Sequence, residues 1–475
     1  MSANPQSFRP LAFLGLSLLA GCASFSPDGG MSGVSLASGV ALPREAAALR
    51  TPEDAEAAHA RVRTLLAKPL NASSAVQVAL LNNRDLQAAY NTLGLSEAAF
   101  VQASLPPNPT FSLSRVAGGG GFEIETRIVV SILNLATLPA RREIAEGRFR
   151  QAQMQASLDT LRVATEARRS FHRAVASKAL AGFLEQAGET GANAAELSKR
   201  LGETGAINKL DQARNQVFHA ELVAQLATAR QRATSERERL IRALGLWGAD
   251  AEFALPSRLP ALPSKPRVMA GVEAQAVARR IDLQMARIDA SVLAKSYGLT
   301  NATRFISMLD AGPDIKKTGD NGTVTREYGF DLEVQIPLFD FGEVKVRQAE
   351  QSYMQAVNRL MAKAVNVRSE AREAYAGYRS AYDIARHYRR DVLPLRKLIS
   401  DETLLRYNAM QIDVFSLLTE ARQQITSTNA AIEAERDFWL ADADLTSALV
   451  AGPGNGGTSS PEPSNTTAAE APGGH

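Results

Sequence analysis

Between Tyr353 and Ile399, apolar or small residues recur in unbroken alternating steps of four and three: Tyr353, Val357, Leu360, Ala364, Val367, Ala371, Ala374, Tyr378, Ala381, Ala385, Tyr388, Val392, Leu395 and Ile399. That 3.5-residue period is the seam of a left-handed coiled coil, and at 1.5 Å per residue it runs about 70 Å. No globular core needs a helix of that length, so the chain has to be organised around elongated helices. Leu210, Ala213, Val217, Ala220, Ala224 and Ala227 give a shorter seam in the first half. Alanine at so many seam positions predicts closely approaching helices. The seam alone would also suit a long coiled coil with only a mechanical duty.

Proline cannot continue a helix, and its distribution marks the boundaries. None occurs between Pro139 and Pro256, and only Pro394 lies between Pro337 and Pro453. Two long stretches of helix formers are thus separated by a Pro-rich linker over 256–267 that contains Pro256, Pro260, Pro263 and Pro266. From Ala451 onward Gly, Pro, Ser and Thr take over, a composition that cannot bury a core, so 451–475 reads as a disordered tail. The formal charge of +3 over 475 residues provides no field for a polyanion, so no nucleic-acid partner is expected. A single cysteine excludes disulfide frameworks and Cys-based metal centres.

That cysteine has a context. Residues 11–20, LAFLGLSLLA, form an apolar run of ten behind Arg9, about half of what a bilayer-spanning helix needs, and this is the pattern of a signal-peptide core over 1–21. Leu19, Ala20, Gly21 and Cys22 follow, and LAGC resembles a bacterial lipobox. On that resemblance Cys22 becomes the mature, lipidated N-terminus of a segment covering 22–70. Ala23, in place of the Asp that resembles an inner-membrane retention signal, implies sorting to the outer membrane.

Ahead of each long helix lies a period-two segment. Phe122, Ile124, Thr126, Ile128, Val130 and Ile132 alternate with Glu123, Glu125, Arg127, Val129 and Ser131. Tyr328, Phe330, Leu332, Val334 and Ile336 alternate with Gly329, Asp331, Glu333 and Gln335. Each has a partner strand before it, predicted over 110–116 and 305–315, so each half should contain a hairpin. Alternation alone fits a small soluble hairpin as well as a barrel wall. One wholly apolar face, one acidic face and a lipid anchor favour the wall.

The two halves correspond: Asp85–Leu86 to Asp282–Leu283, Ala145–Glu146 to Ala349–Glu350, and Ala213–Arg214 to Ala421–Arg422. Each reads helix, hairpin, long helix, turn, helix, with a first repeat over 71–255 and a second over 268–450. Over residues 65–450 the chain resembles the TolC-type outer membrane efflux family. The resemblance rests on AVQVALLNN at Ala75–Asn83, PNP at Pro107–Pro109, IPLFDFG at Ile336–Gly342, LGETGAINKLDQAR at Leu201–Arg214 and LLTEAR at Leu417–Arg422. It departs from the family where Arg84 and Ile281 stand in place of a proline ahead of the acidic residue and leucine.

The resemblance implies a mostly α chain with a β-barrel part. In that architecture a homotrimer closes a 12-stranded transmembrane barrel with four strands per chain, continued by an α-helical tunnel into the periplasm. It also implies outer membrane lipid around the barrel, an inner-membrane efflux pump, and a periplasmic adaptor gripping the helical turns near 202–208 and 407–413. Glu123, Glu125, Asp331 and Glu333 would face an acidic, cation-favouring lumen, and Asp413, Asp211 and Glu420 lie nearest a tunnel-entrance gate. Such a tunnel is no enzyme and needs no cofactor or metal beyond the lipid on Cys22. His59, His172, His219, His387 and His475 stand singly, without metal spacing. The rival reading is a lipid-anchored periplasmic adaptor or structural coiled coil, which should show one helical hairpin flanked by strands and not two of each in tandem.

Overall fold

The computed structural model describes residues 25–32, 34, 47–205, 207–320, 322–335 and 339–452. The signal segment, Cys22, Ile336–Leu338 and the tail beyond residue 452 lie outside the described residues. The fold is mostly helical and elongated, with one small sheet.

α1 (Pro52–Leu66), α2 (Ala72–Asn82) and α3 (Arg84–Ser104) lead to a hairpin of β1 (Thr110–Gly118) and β2 (Gly121–Ser131). A short α4 (Ile132–Ala136) turns the chain into α5 (Leu138–Glu203), whose 66 residues run about 99 Å. α6 (Lys209–Leu244) returns along α5 for 36 residues. After the linker come α7 (Val272–Arg279) and α8 (Ile281–Ala302), then β3 (Leu309–Asp320) and β4 (Thr323–Val334). A long rod follows: α9 (Glu343–His387), a π turn at Tyr388–Val392, and α10 (Leu393–Asn408). α11 (Val414–Val450) is the last helix among the described residues. No helix among the described residues is long and apolar enough to cross a membrane.

The helix breaks form without the absent prolines. α3 starts at Arg84 because the Asn83 side chain accepts from the Leu86 amide, and α8 starts at Ile281 after an extended Arg280. Each break is covered by the end of its half's last helix. Gly245, left-handed at φ 68°, sits so close to Asn82 that a Cβ would come within 2.9 Å of its carbonyl oxygen. Gly452, at φ 95°, packs on Arg280. The first residues assigned to the tail are therefore ordered: the Gly452 amide donates to the Ser447 carbonyl at 2.8 Å, and Ala451 is buried.

The linker is fastened down. The Tyr382 hydroxyl donates toward the Pro263 and Ser264 carbonyls at 3.0 Å, and the Trp439 indole N–H donates to the Pro260 carbonyl at 3.1 Å. The Tyr378 hydroxyl accepts from the Arg267 amide at 3.0 Å. These aromatic residues surround the fully buried Phe438. The N-terminal segment is held too: the Ser26 amide donates to Glu97 at 2.7 Å, and the Ser157 hydroxyl donates to the Val34 carbonyl at 2.9 Å.

Two features of the helical reading need correction. In α9 the expected seam holds, with Val367, Ala371, Tyr378 and Ala385 buried, but Leu395 and Ile399 are exposed. The π turn ahead of Pro394 inserts one residue and rotates the following helix. Arg396 and Ser400 then face α11, meeting Glu420, Gln423 and Gln424. In α6 the packed stripe is Asn215, Phe218, Leu222 and Ala229, one to two positions from the alanine stripe, and Leu210 and Val217 are exposed. Alanine suits either face, and the two large side chains decide which one is buried.

The strands form one antiparallel sheet in the order β1-β2-β3-β4, so the hairpins from the two halves pair through β2 and β3. β3 covers Leu309–Asp320, shifted from the expected 305–315, and Ile132 belongs to α4 instead of β2. Residues 304–307 form a turn off α8, in which the Ile306 amide donates to the Thr303 carbonyl at 3.1 Å and Arg304 lies over the Phe305 ring. At the other end the Lys316–Lys317 pair continues the strand, because alternation sends the two charges to opposite faces. The β2–β3 pairing lapses around Gly312 and Pro313. Pro313 has no amide hydrogen to donate, and Gly312 sits where a Cβ would overlap the Ile128 carbonyl.

Candidate functional site

The sheet separates its residues by chemistry. One face carries Phe111, Leu113, Phe122, Ile124, Ile128, Val130, Ile315, Tyr328, Phe330, Leu332 and Val334 in mutual register. On the edge strand β4 this face is open: Tyr328 is 77% and Phe330 72% exposed. An apolar face of this extent is untenable in water and needs lipid or protein against it.

The opposite face gathers Glu123, Glu125, Asp331 and Glu333, as the alternation predicts, and adds Asp310, Asp314, Asp320 and Glu327 from β3 and β4. It also holds two cations. Lys316 pairs with Glu123 at 2.9 Å, and Arg127 bridges Glu125 at 2.6 Å and Asp331 at 2.9 Å. Three of the four carboxylates named from sequence are thus paired, and the unpaired acidity moves toward Glu333, which stands directly opposite Asp310. Lys316 escaped the sequence reading because it ended β3 at Ile315, whereas Asp314 lay inside the expected strand but was not assigned to a face. Strict alternation applied along β3 and continued through the Lys-Lys pair would have placed both on this face.

β1 and β4 are the sheet's two edges, and neither has a partner among the described residues. A four-stranded sheet with two open edges and two chemically opposite faces is an incomplete wall.

The far end of the helices carries the second group of candidates. α5 turns into α6 at 204–208, and α10 into α11 at 409–413, where Met410 takes a left-handed φ of 58°. Asp413 caps α11: its carboxylate accepts from the Ser416 amide at 2.9 Å and the Ser416 hydroxyl at 2.6 Å. Those bonds hold its pKa below the ordinary carboxylate value. Asp211 sits in the first turn of α6, where its amide donates to Asn208 at 2.8 Å and its carboxylate meets Arg214 at 3.2 Å. Glu420 lies two turns up α11, mostly buried against Arg396 at 3.4 Å. Asp211 and Asp413 therefore share the tips, and Glu420 belongs to the helix packing behind them. Asp or Asn at a helix start was the legible signal for both caps.

The two turns sit side by side. Phe218, Leu222 and Leu418 form a small apolar cluster, Arg214 stacks 4.7 Å over Phe415, and Arg422 pairs with Glu221 at 2.9 Å. Asp413→Ala should speed hydrogen exchange of the first-turn amides of α11 several-fold, whereas Asp413→Asn, also a competent cap, should leave them protected. A depressed folded pKa means that the wild-type cap is intact above the ordinary carboxylate pKa and is lost as pH falls through the lowered value. Equal exchange in both variants at neutral pH would show that charge, not capping, orders the turn.

Of the histidines, His172 is buried in a stack on Trp439 with centroids 5.2 Å apart, and burial pushes its pKa down to about 4. Among the described residues no three His, Cys, Asp or Glu side chains group as metal ligands would.

Among solved structures, the chain is similar to the transmembrane channel protein CusC, with a TM-score of 0.68 at 16% identity over 83% of this chain and 92% of that one. It is also similar to the CmeC outer membrane channel of Campylobacter jejuni, with a TM-score of 0.67 at 15% identity over 82% and 87%. The outer membrane protein VceC of Vibrio cholerae gives a TM-score of 0.66 at 14% identity over 83% and 97%. No family model and no curated protein sequence matches the chain. The fold is that of the TolC-type outer membrane efflux channels.

Proposed function

We propose, from the fold shared with TolC-type outer membrane efflux channels, that this chain is one third of an outer membrane channel in a tripartite efflux system. The single observation that carries the reading is the two-faced sheet with both edges open. Lipid can take the apolar face and water the charged one, but hydrocarbon cannot satisfy the backbone groups of two unpaired edges. Three copies joined β4 to β1 remove every edge and close a 12-stranded barrel. The helices then extend from one rim into the periplasm, and the solvent-exposed Leu210, Val217, Met354 and Met361 become available to neighbouring chains.

In this arrangement Glu333, Asp310 and the paired Glu123, Glu125 and Asp331 line the lumen, which favours cations over anions. The tips at 202–208 and 407–413 lie farthest from the membrane and form the closed end, with Asp211 and Asp413 as gate carboxylates and Glu420 buttressing them. They are also where a periplasmic adaptor, coupled to an inner-membrane pump, would dock. Cys22 carries the lipid anchor in the outer membrane. Two helical hairpins and two β-hairpins in tandem, read as a duplication, favour the channel over an adaptor. The reading calls for no catalysis and no cofactor.

The test is purification in detergent followed by planar-bilayer recording. The expected result is a particle of three chain masses that conducts, with conductance raised by Asp211→Asn plus Asp413→Asn, substitutions that keep both caps. In the same preparation labelled fatty acid should appear on the wild type and not on Cys22→Ser. A stable monomer without conductance would overturn the channel, and label retained by Cys22→Ser would overturn the anchor.

A further inference from the structure

One row of the apolar face is not apolar. Arg115 is registered beside Ile124, Ile124 beside Lys317, and Lys317 beside Arg326, so three cations share a single level across four strands. Each stands three residues from the hairpin end of its strand, at Gly118, Asp320 and Thr323 respectively. Arg115 and Arg326 are exposed and Lys317 is half-exposed. None makes an ion pair or hydrogen bond with another described residue. By strand alternation every Asp and Glu of the four strands lies on the opposite face, and this face carries no other cation.

The level of the row is informative. A cation facing lipid is costly at the bilayer midplane and nearly free at the interface, so the row marks the depth at which headgroups begin. Toward the hairpin ends Arg115 is followed by the small Ala117, which leaves room for its long side chain to rise along the wall, whereas the Phe122 ring lies over Gly319 beside Lys317. Strands are about 4.8 Å apart, which places Lys317 and Arg326 close enough to hold one phosphate between them, with Arg115 about 10 Å away for a second.

We propose that this row binds the phosphate groups of anionic lipid headgroups in the leaflet at the hairpin ends, the outer leaflet. The inference rests on the channel reading, which puts this face in lipid and the helices in the periplasm. Closure of three chains makes the row a belt of positive charge around the barrel. A free anion does not account for cations spread along a lipid-facing wall, whereas a sheet of phosphorylated headgroups matches them in depth and spacing.

The test compares the assembled wild type with the Arg115→Gln/Lys317→Gln/Arg326→Gln variant in phosphatidylcholine vesicles containing lipid A, dephosphorylated lipid A or neither. Lipid A should raise the dissociation temperature of the wild-type assembly by several degrees over both other vesicles. The triple variant should lose most of that rise and conduct as the wild type does. Inorganic phosphate added to plain phosphatidylcholine should have no effect. An equal rise with dephosphorylated lipid A, an equal rise in the variant, or a rise with inorganic phosphate alone would overturn the proposal. If the glutamine variant does not assemble, the wild-type comparison of the two lipids still decides, and Arg115→Lys/Lys317→Arg/Arg326→Lys should preserve the response. A wild type that neither assembles nor conducts would instead remove the channel reading on which the row depends.

Discussion

Phe438→Ala is expected to lower stability by about 3–5 kcal/mol, the usual cost of emptying a phenylalanine site in a packed core. Phe438 has no exposed surface, and its ring lies 5.6 Å from Tyr378 and 5.7 Å from Tyr382. Those two tyrosines hold the linker between the halves through hydroxyl contacts with Arg267, Pro263 and Ser264. The cavity would therefore loosen the linker as well as the helices α9 and α11. Chemical denaturation in detergent should show a reduced midpoint, with limited proteolysis opening first within 256–267. A loss below about 1 kcal/mol with an unaltered cleavage pattern would show that Phe438 is not the keystone of this region.

Arg280→Met should be nearly as damaging at neutral pH and much less so in acid. The Arg280 side chain is 3% exposed, grips Asp282 bidentately at 2.7 and 2.9 Å, and also pairs with Glu370. Removing one partner of a buried charge pair typically costs about 3–5 kcal/mol, and the partial exposure of Glu370 places the expectation near the lower end. Burial by itself would raise the Asp282 pKa, but hydrogen bonds and charge from Arg280, with help from Lys363, hold it below the ordinary value. In the wild type this contribution is complete above the unfolded carboxylate pKa of about 3.9 and is lost as pH falls through the lowered folded value. In Arg280→Met the burial penalty dominates, so Asp282 should titrate above the ordinary carboxylate value, and the deficit should shrink as pH falls through that raised value and on through the lowered wild-type one. A deficit independent of pH would assign Arg280 a packing role instead of a charge role.

Much of this architecture is legible in the sequence, and the failures have identifiable causes. The hairpins and both helical turns could be read because alternation, glycine turns and Asn or Asp caps act locally. The end of β3 could not, because Lys316–Lys317 reads as a loop until β2 supplies Glu123 across the strand. The α6 seam was misplaced by one to two residues because its alanines fit two faces, and only Phe218 and Leu222 distinguish them. Leu395 and Ile399 left the predicted seam because the π turn adds a residue that no heptad count contains. The grouping of Arg280, Asp282, Glu370 and Lys363 brings together positions up to 90 residues apart in sequence, and no local pattern announces it. The basic row was invisible for the same reason: Arg115, Lys317 and Arg326 belong to three strands, and only their register aligns them.

A channel of three chains requires that β1 of one chain complete β4 of another around a three-fold axis. Within one chain these edges are three strand spacings apart, about 14 Å, and a disulfide cannot bridge Cα atoms more than about 7 Å apart. The most direct measurement is oxidative cross-linking of Ser114→Cys paired in turn with Thr323→Cys, Thr325→Cys and Glu327→Cys, followed by denaturing electrophoresis. The account predicts that at least one pair yields covalent trimers, reducible to monomers, with nothing larger. Monomers for every pair in membrane-inserted protein, or a ladder stopping at dimers, would contradict it.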